Sequence, residues 1–114
     1  MGMIPAEREF LQVLRAASDR HGIVLIFDEV ICGFGRLGAP FGAQAFGVIP
    51  DVMTMAKALT NAAQPMGAVA VSDKVHSTIL EAAPEGAVEF FHGYTYSAHP
   101  AACAAGLATM DLFE

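Results

Sequence analysis

Apolar positions recur along the chain with two different spacings, and each change of spacing marks the border of an element. Phe10, Val13, Leu14 and Ala17 fall at i, i+3, i+4 and i+7, one stripe of a helix. Pro5, Glu7 and Glu9 stand where a helix starts: a missing N–H costs nothing there, and negative charge meets the positive end of the dipole. His21-Gly22 ends the helix, with glycine taking the left-handed position after the last turn. Ile23-Val24-Leu25-Ile26-Phe27 is an unbroken apolar run that stops at Asp28-Glu29. It is too short for a helix and predicts a strand buried on both faces, as in a parallel sheet covered by helices.

Val52–Met55 and Ala68–Val71 are two further short apolar runs, each read as a strand, the second buried. Between the strands lie a glycine-rich loop from Cys32, with a short helix over Ala43–Gly47, and a second loop from Asn61 to Gly67. Ser72-Asp73 caps a helix running to about Ala82. Residues 84–93 are irregular. Cys103, Leu107, Met110 and Phe113 then recur at i, i+4, i+7 and i+10, predicting a closing helix behind His99-Pro100. Helix, turn and buried strand in alternation predict an α/β fold with a mostly parallel sheet and flanking helices.

Composition changes this picture in one respect. At 114 residues there is room for one small domain. The chain is 54% apolar and 16% charged, whereas a free-standing domain carries about 25% charged residues. Much of its surface is therefore expected to be covered, either in an obligate oligomer or because the chain is a piece of a longer one. The ends favour the second expectation: Met1–Pro5 resembles no targeting signal, and Thr109–Glu114 is still helical in pattern with no stop signal. A net charge of −6 argues against nucleic acid and anionic membranes as partners, and no apolar run is long enough to span a bilayer. Cys32 and Cys103 read as buried free thiols of a cytoplasmic protein, with a disulfide the lesser alternative.

Two residues stand out as candidates for chemistry. Asp28 follows the buried run and so lies at the carboxyl end of a strand, where open α/β sheets bind ligands. It could equally be a strand-end acid capping the next turn. Lys57 is flanked by Met55-Ala56 and Ala58-Leu59, whereas Lys74, the other lysine, sits on a solvated helix face. Desolvation makes a lysine a usable nucleophile, although a lysine snorkelling out of an apolar surface is the commoner case. Together, an imine-forming lysine and an anion for a ring nitrogen match what pyridoxal phosphate needs. The remaining features are weaker. Gly33-Phe34-Gly35 lacks the spacing of a dinucleotide fingerprint. Arg36 is read as a loop-shaping ion pair before a substrate-carboxylate ligand. Phe90-Phe91 reads as core or interface, Tyr94 and Tyr96 as cleft lining or packing, and the four histidines have no metal-ligand spacing.

Three ordered segments carry a family resemblance. Phe27–Gly38, Pro50–Asn61 and Phe91–Pro100 resemble the motifs of class III pyridoxal-phosphate-dependent aminotransferases, as does the separation of 29 positions between Asp28 and Lys57. Thr60–Val69 and the segment from His92 to His99 most resemble the β-alanine (omega-amino acid):pyruvate branch. The resemblance implies that residues 1–114 are a central part of the large domain of a fold-type-I enzyme. It implies Lys57 as the Schiff-base lysine and proton carrier, Asp28 at the pyridine nitrogen, and Val30 on one ring face. It further implies that Thr95, with the backbone near Tyr94, holds the cofactor phosphate of the other subunit in a homodimer or a dimer of dimers, with no metal involved. The family's subunit is several times longer; its N-terminal segment, phosphate loop and small domain have no counterpart here. The expected reaction moves an amino group from an omega-amino acid or amine to pyruvate, with turnover by the 114 residues alone expected to be negligible. The alternatives are another class III member (4-aminobutyrate or ornithine aminotransferase, or glutamate-semialdehyde aminomutase), an inactive truncated product, and, least of all, a nucleotide-binding α/β domain.

Overall fold

A computed structural model describes residues 4, 6–88 and 90–113, and among them are four α-helices, one 3-10 turn and a three-stranded sheet. Helix α1 spans Arg8–His21 and stops at Gly22, whose φ of 64° is the left-handed turn expected there. Pro5 lies outside the described residues. The packed side of α1 carries Leu11, Leu14, Arg15 and Ser18, while Phe10 and Val13 are exposed. Leu14 and Ala17 of the predicted stripe do lie on the packed side, and Arg15 and Ser18, polar residues that a hydrophobic template passes over, face inward beside them.

Strand β1 is Ile26–Asp28 and β2 is Val52–Met55; they pair in parallel with Asp28 opposite Thr54. Strand β3, Ala68–Val71, joins β2 antiparallel. The class is α/β, and the three strands make one parallel and one antiparallel pair. A run such as Ala68–Val71 has no feature that specifies its direction. The predicted burial does not hold within this chain. Ile23, Val24, Ile26, Val69 and Val71 are exposed, and Leu25 and Phe27 are half-buried. Pairing of β1 begins at Leu25, whose carbonyl accepts from the N–H groups of Asp51 and Val52.

Helix α2, Gly42–Phe46, is a short turn ending at Gly47. Helix α3, Asp73–Glu81, starts as predicted at Ser72, whose hydroxyl accepts the Val75 N–H at 3.4 Å. Helix α4, Pro100–Asp111, packs through Ala102, Gly106 and Thr109, and Leu107, Met110 and Phe113 are exposed. Here small residues make the contact because they let the helix backbone come close. A Cβ at Gly106 would meet the Met66 sulfur at 3.3 Å and the Leu59 carbonyl at 3.8 Å.

One polar node ties α1 to the sheet. Asp51, just ahead of β2, accepts the Leu25 N–H at 2.8 Å and pairs with Arg15 at 2.9 Å, while Arg15 also reaches Asp19 at 2.8 Å and the Ile49 carbonyl at 3.3 Å. These donors, the Leu25 N–H first and Arg15 second, hold the Asp51 carboxyl below its ordinary value. The buried apolar core is thin: Ala43, Val48, Ala58, Leu59 and Ala102. The radius of gyration is 16.1 Å, against about 13 Å for a compact domain of this length, so the chain is open rather than closed around its core. Phe90 and Phe91 are exposed and belong to no core within this chain. Cys32 and Cys103 are half-buried and free.

Candidate cofactor site at the carboxyl edge of the sheet

Parallel pairing puts the carboxyl ends of β1 and β2 on one edge, and the two candidate residues lie there. Asp28 is the last residue of β1. Its Oδ1 accepts the Val30 N–H at 3.0 Å, which closes a tight turn, and the Thr54 hydroxyl at 3.4 Å from the neighbouring strand. The carboxylate does cap the turn after the strand, and it is also exposed at the edge where a ligand would approach. The two readings of Asp28 are therefore compatible.

Lys57 follows Thr54 by three positions and opens the 3-10 turn Lys57–Thr60. Its φ of 48° is left-handed, a conformation that costs a non-glycine residue about 1–2 kcal/mol and persists only where its surroundings enforce it. The enforcement is visible. The Lys57 carbonyl accepts the Ala62 N–H at 3.2 Å, and the Ala56 carbonyl accepts the Leu59 N–H at 3.1 Å. Ala58, Leu59 and Thr60 are buried against α4, and the Thr60 hydroxyl donates to the Gln64 carbonyl at 2.6 Å. A packed turn thus presents the lysine at the strand end. Its side chain is exposed, contrary to the desolvation expected from its apolar neighbours: those neighbours turn inward and the lysine outward, leaving it uncovered within this chain.

Glu29 was not singled out from the sequence, yet it is the most deeply buried acid among the described residues at 2% exposure. Its Oε2 accepts the Gly42 N–H at 2.9 Å and its Oε1 the Ala43 N–H at 2.7 Å, at the start of α2. Its own N–H donates to the Thr54 carbonyl, and its carbonyl accepts the Gly33 N–H. Glu29 therefore pins both ends of the loop that carries Val30. The partners are 13 and 14 positions away, too far for any capping rule to find. The loop is also held by Phe34, stacked edge-on to Phe41 at 5.2 Å and tilted against Phe113 at 6.1 Å. Val30 itself is half-buried beside Asp28.

Thr95 and Tyr94 are exposed in the irregular segment ahead of α4, where the Tyr94 N–H donates to the Ser97 hydroxyl at 3.0 Å. Tyr96 is exposed as well, so neither tyrosine packs in a core here. Among the described residues no carboxylate lies within ion-pair distance of Arg36. No cluster of His, Cys, Asp and Glu among them could hold a metal. A cleft of about 600 Å³, lined by Leu14, Leu25, Phe27, Leu37 and Phe46, reaches Asp28 but not Lys57; it is an apolar gap between α1, β1 and α2.

A carboxylate and an outward lysine at the carboxyl ends of adjacent parallel strands match the donor set that pyridoxal phosphate requires. The comparisons with known proteins decide the family. The class-III aminotransferase profile matches residues 1–114. The chain belongs to the class III aminotransferases. It is 57% identical over 113 residues to an omega-aminotransferase of Caulobacter vibrioides, covering 99% of this chain and 26% of that protein. It is 61% identical over 104 residues to the β-alanine–pyruvate aminotransferase of Pseudomonas aeruginosa, covering 90% and 23%. In structure it resembles an amine transaminase from an uncultivated Pseudomonas species in its pyridoxal-phosphate-bound form, with a TM-score of 0.83 and 41% identity, over 92% of this chain and 23% of that one. Class III aminotransferases depend on pyridoxal phosphate, and these transaminases have the fold-type-I architecture expected from the sequence. The chain spans about a quarter of the length of the relatives it matches.

Proposed function

We propose that this chain forms the lysine-bearing part of a pyridoxal-phosphate site in a transaminase that moves an amino group from an omega-amino acid or amine, such as β-alanine, to pyruvate. The observation that carries the reading is the placement of Asp28 and Lys57 at the carboxyl ends of two adjacent parallel strands. The substrate class is supported by the names of the relatives at 57% and 61% identity. Pyridoxal phosphate, when bound, supplies an aldehyde carbon and a ring that accepts electrons from the bond broken at the amine-bearing carbon.

The chain's own residues do the rest. The Lys57 amine holds the cofactor at its aldehyde carbon. With a substrate amine bound, the free amine of Lys57 would be the base that takes a proton from the substrate carbon and later gives it back. Asp28 holds a proton on the ring nitrogen, as a carboxylate does for a cation that it contacts. Val30 covers a ring face and excludes water. Thr95 and the backbone at Tyr94 serve the phosphate of the cofactor in the other subunit of a homodimer; both are exposed here, as that role requires. The half-buried free thiols of Cys32 and Cys103 fit a cytoplasmic protein.

On this reading, activity belongs to a polypeptide of the relatives' length, and the 114 residues alone, about a quarter of that length, hold too little of the cofactor's surroundings to turn over. The test is a chimera in which the chain replaces the matching segment of the Pseudomonas aeruginosa enzyme. Transamination of β-alanine with pyruvate by the chimera, lost in Lys57→Ala and strongly reduced in Asp28→Asn, supports the proposal. Full activity in Lys57→Ala, or turnover by the isolated chain, contradicts it.

A further inference from the structure

We propose that Thr54 is a positioning residue that sets the plane of the Asp28 carboxylate, so that Oδ2 is the oxygen presented to the cofactor's ring nitrogen. The inference rests on the reading of Asp28 given above. Asp28 and Thr54 are register partners on β1 and β2, so their side chains stand side by side on one face of the sheet. The Thr54 carbonyl accepts the Glu29 N–H at 2.9 Å, which fixes the register at this point. The Thr54 hydroxyl is then left to donate to Asp28 Oδ1 at 3.4 Å, while the Val30 N–H donates to the same oxygen at 3.0 Å.

Both donors converge on Oδ1, and no donor reaches Oδ2 among the described residues. The terminal torsion of an aspartate is broad, and one hydrogen bond leaves the group free to rock about it. A second donor from a different strand narrows that freedom. Threonine suits the task because its branched Cβ limits χ1 and so limits where the hydroxyl can point. At 3.4 Å the bond is long, so its contribution is modest.

The test compares Thr54→Val, which keeps the shape and loses the hydroxyl, with Thr54→Ser, which keeps the hydroxyl. Asp28→Asn serves as the control. Each is made in the chain itself and in the chimera with the Pseudomonas aeruginosa enzyme, so the readout does not depend on the 114 residues building the site alone. The readouts are the affinity for pyridoxal phosphate and the ¹⁵N shift of cofactor labelled at its ring nitrogen, which reports protonation there. Thr54→Val is expected to weaken binding by about 3- to 10-fold, the range of one weak hydrogen bond, and to move the ¹⁵N signal toward the unprotonated form. Thr54→Ser is expected to stay within about twofold of the parent on both readouts. If Asp28→Asn alters both readouts and Thr54→Val alters neither, or alters activity alone, the inference is overturned and the role of Asp28 stands. If Asp28→Asn alters neither, the role of Asp28 falls and the inference falls with it.

Discussion

Glu29 should be the most sensitive structural residue in the loop that shapes the site. Its two oxygens accept the Gly42 and Ala43 N–H groups at 2.9 and 2.7 Å, and the side chain is sealed from water. In Glu29→Gln the amide keeps one acceptor oxygen and turns an NH₂ toward the other N–H. One charge-assisted bond, about 1.5–3 kcal/mol, is lost, and a buried donor is left without a partner. The net cost is therefore about 2–3 kcal/mol, and it falls on the Gly42–Ala43 corner first. Neither a volume change nor a cavity contributes, since the two side chains are isosteric. Hydrogen exchange resolved to Gly42 and Ala43 is the assay, because it reads local opening directly. At 1.36 kcal/mol per tenfold, exchange at these amides should speed up about 30- to 150-fold, with little change in β3 or α3. An acceleration below about threefold would refute the argument that Glu29 clamps the loop.

Three further perturbations have definite signs. The Asp51 carboxyl is held below its ordinary value of 3.8 by Leu25 and Arg15, so its contribution to stability is present above that value and is lost as pH falls through the lower folded value. Asp51→Asn should therefore flatten acid-unfolding curves below about pH 4 and cost about 1 kcal/mol at neutral pH, the pair being partly exposed; an unchanged acid limb would count against the node. Gly106→Ala should be near neutral in thermal melts because the flexible Met66 tip can yield, whereas Gly106→Leu should cost at least about 2 kcal/mol by forcing α4 off the Lys57 turn; equal melts for both would contradict that packing. Ala62 sits at a φ of 60°, so Ala62→Gly, normally destabilising, should be neutral or stabilising by up to about 1 kcal/mol in urea unfolding; a clear loss would show that the backbone there is not strained.

Much of this architecture was legible in the order of residues, for local reasons. Gly22 after the α1 stripe, Ser72 ahead of α3 and Pro100 at the start of α4 are signals that act within a few residues. Asp28 at the end of an apolar run and Lys57 at the end of another needed only the rule that ligands gather at the carboxyl edge. What escaped was settled by distant partners. The clamp from Glu29 to Gly42 and Ala43, the Arg15–Asp51 node and the Thr54–Asp28 contact join residues 13 to 36 positions apart. The packed faces of α1 and α4 were caught only in part, at Leu14, Ala17 and Cys103, because arginine, serine and glycine carry contacts beside them. The burial of β1 and β3 was overestimated because an apolar run records residue type and not what packs against it, and the described residues leave both strands largely uncovered. Exposed Ile23, Val24, Ile26, Phe91 and Leu107 are the visible consequence.

The central claim is that Lys57 is the residue that binds the cofactor, and one measurement reaches it directly. Pyridoxal phosphate is added to the chimera with the Pseudomonas aeruginosa enzyme; the imine is fixed with borohydride and the labelled peptide mapped. The account predicts stoichiometric label on Lys57, little on Lys74, and loss of that label in Lys57→Ala with no transfer to another amine. Label divided evenly between Lys57 and Lys74, or concentrated on Lys74, would contradict it.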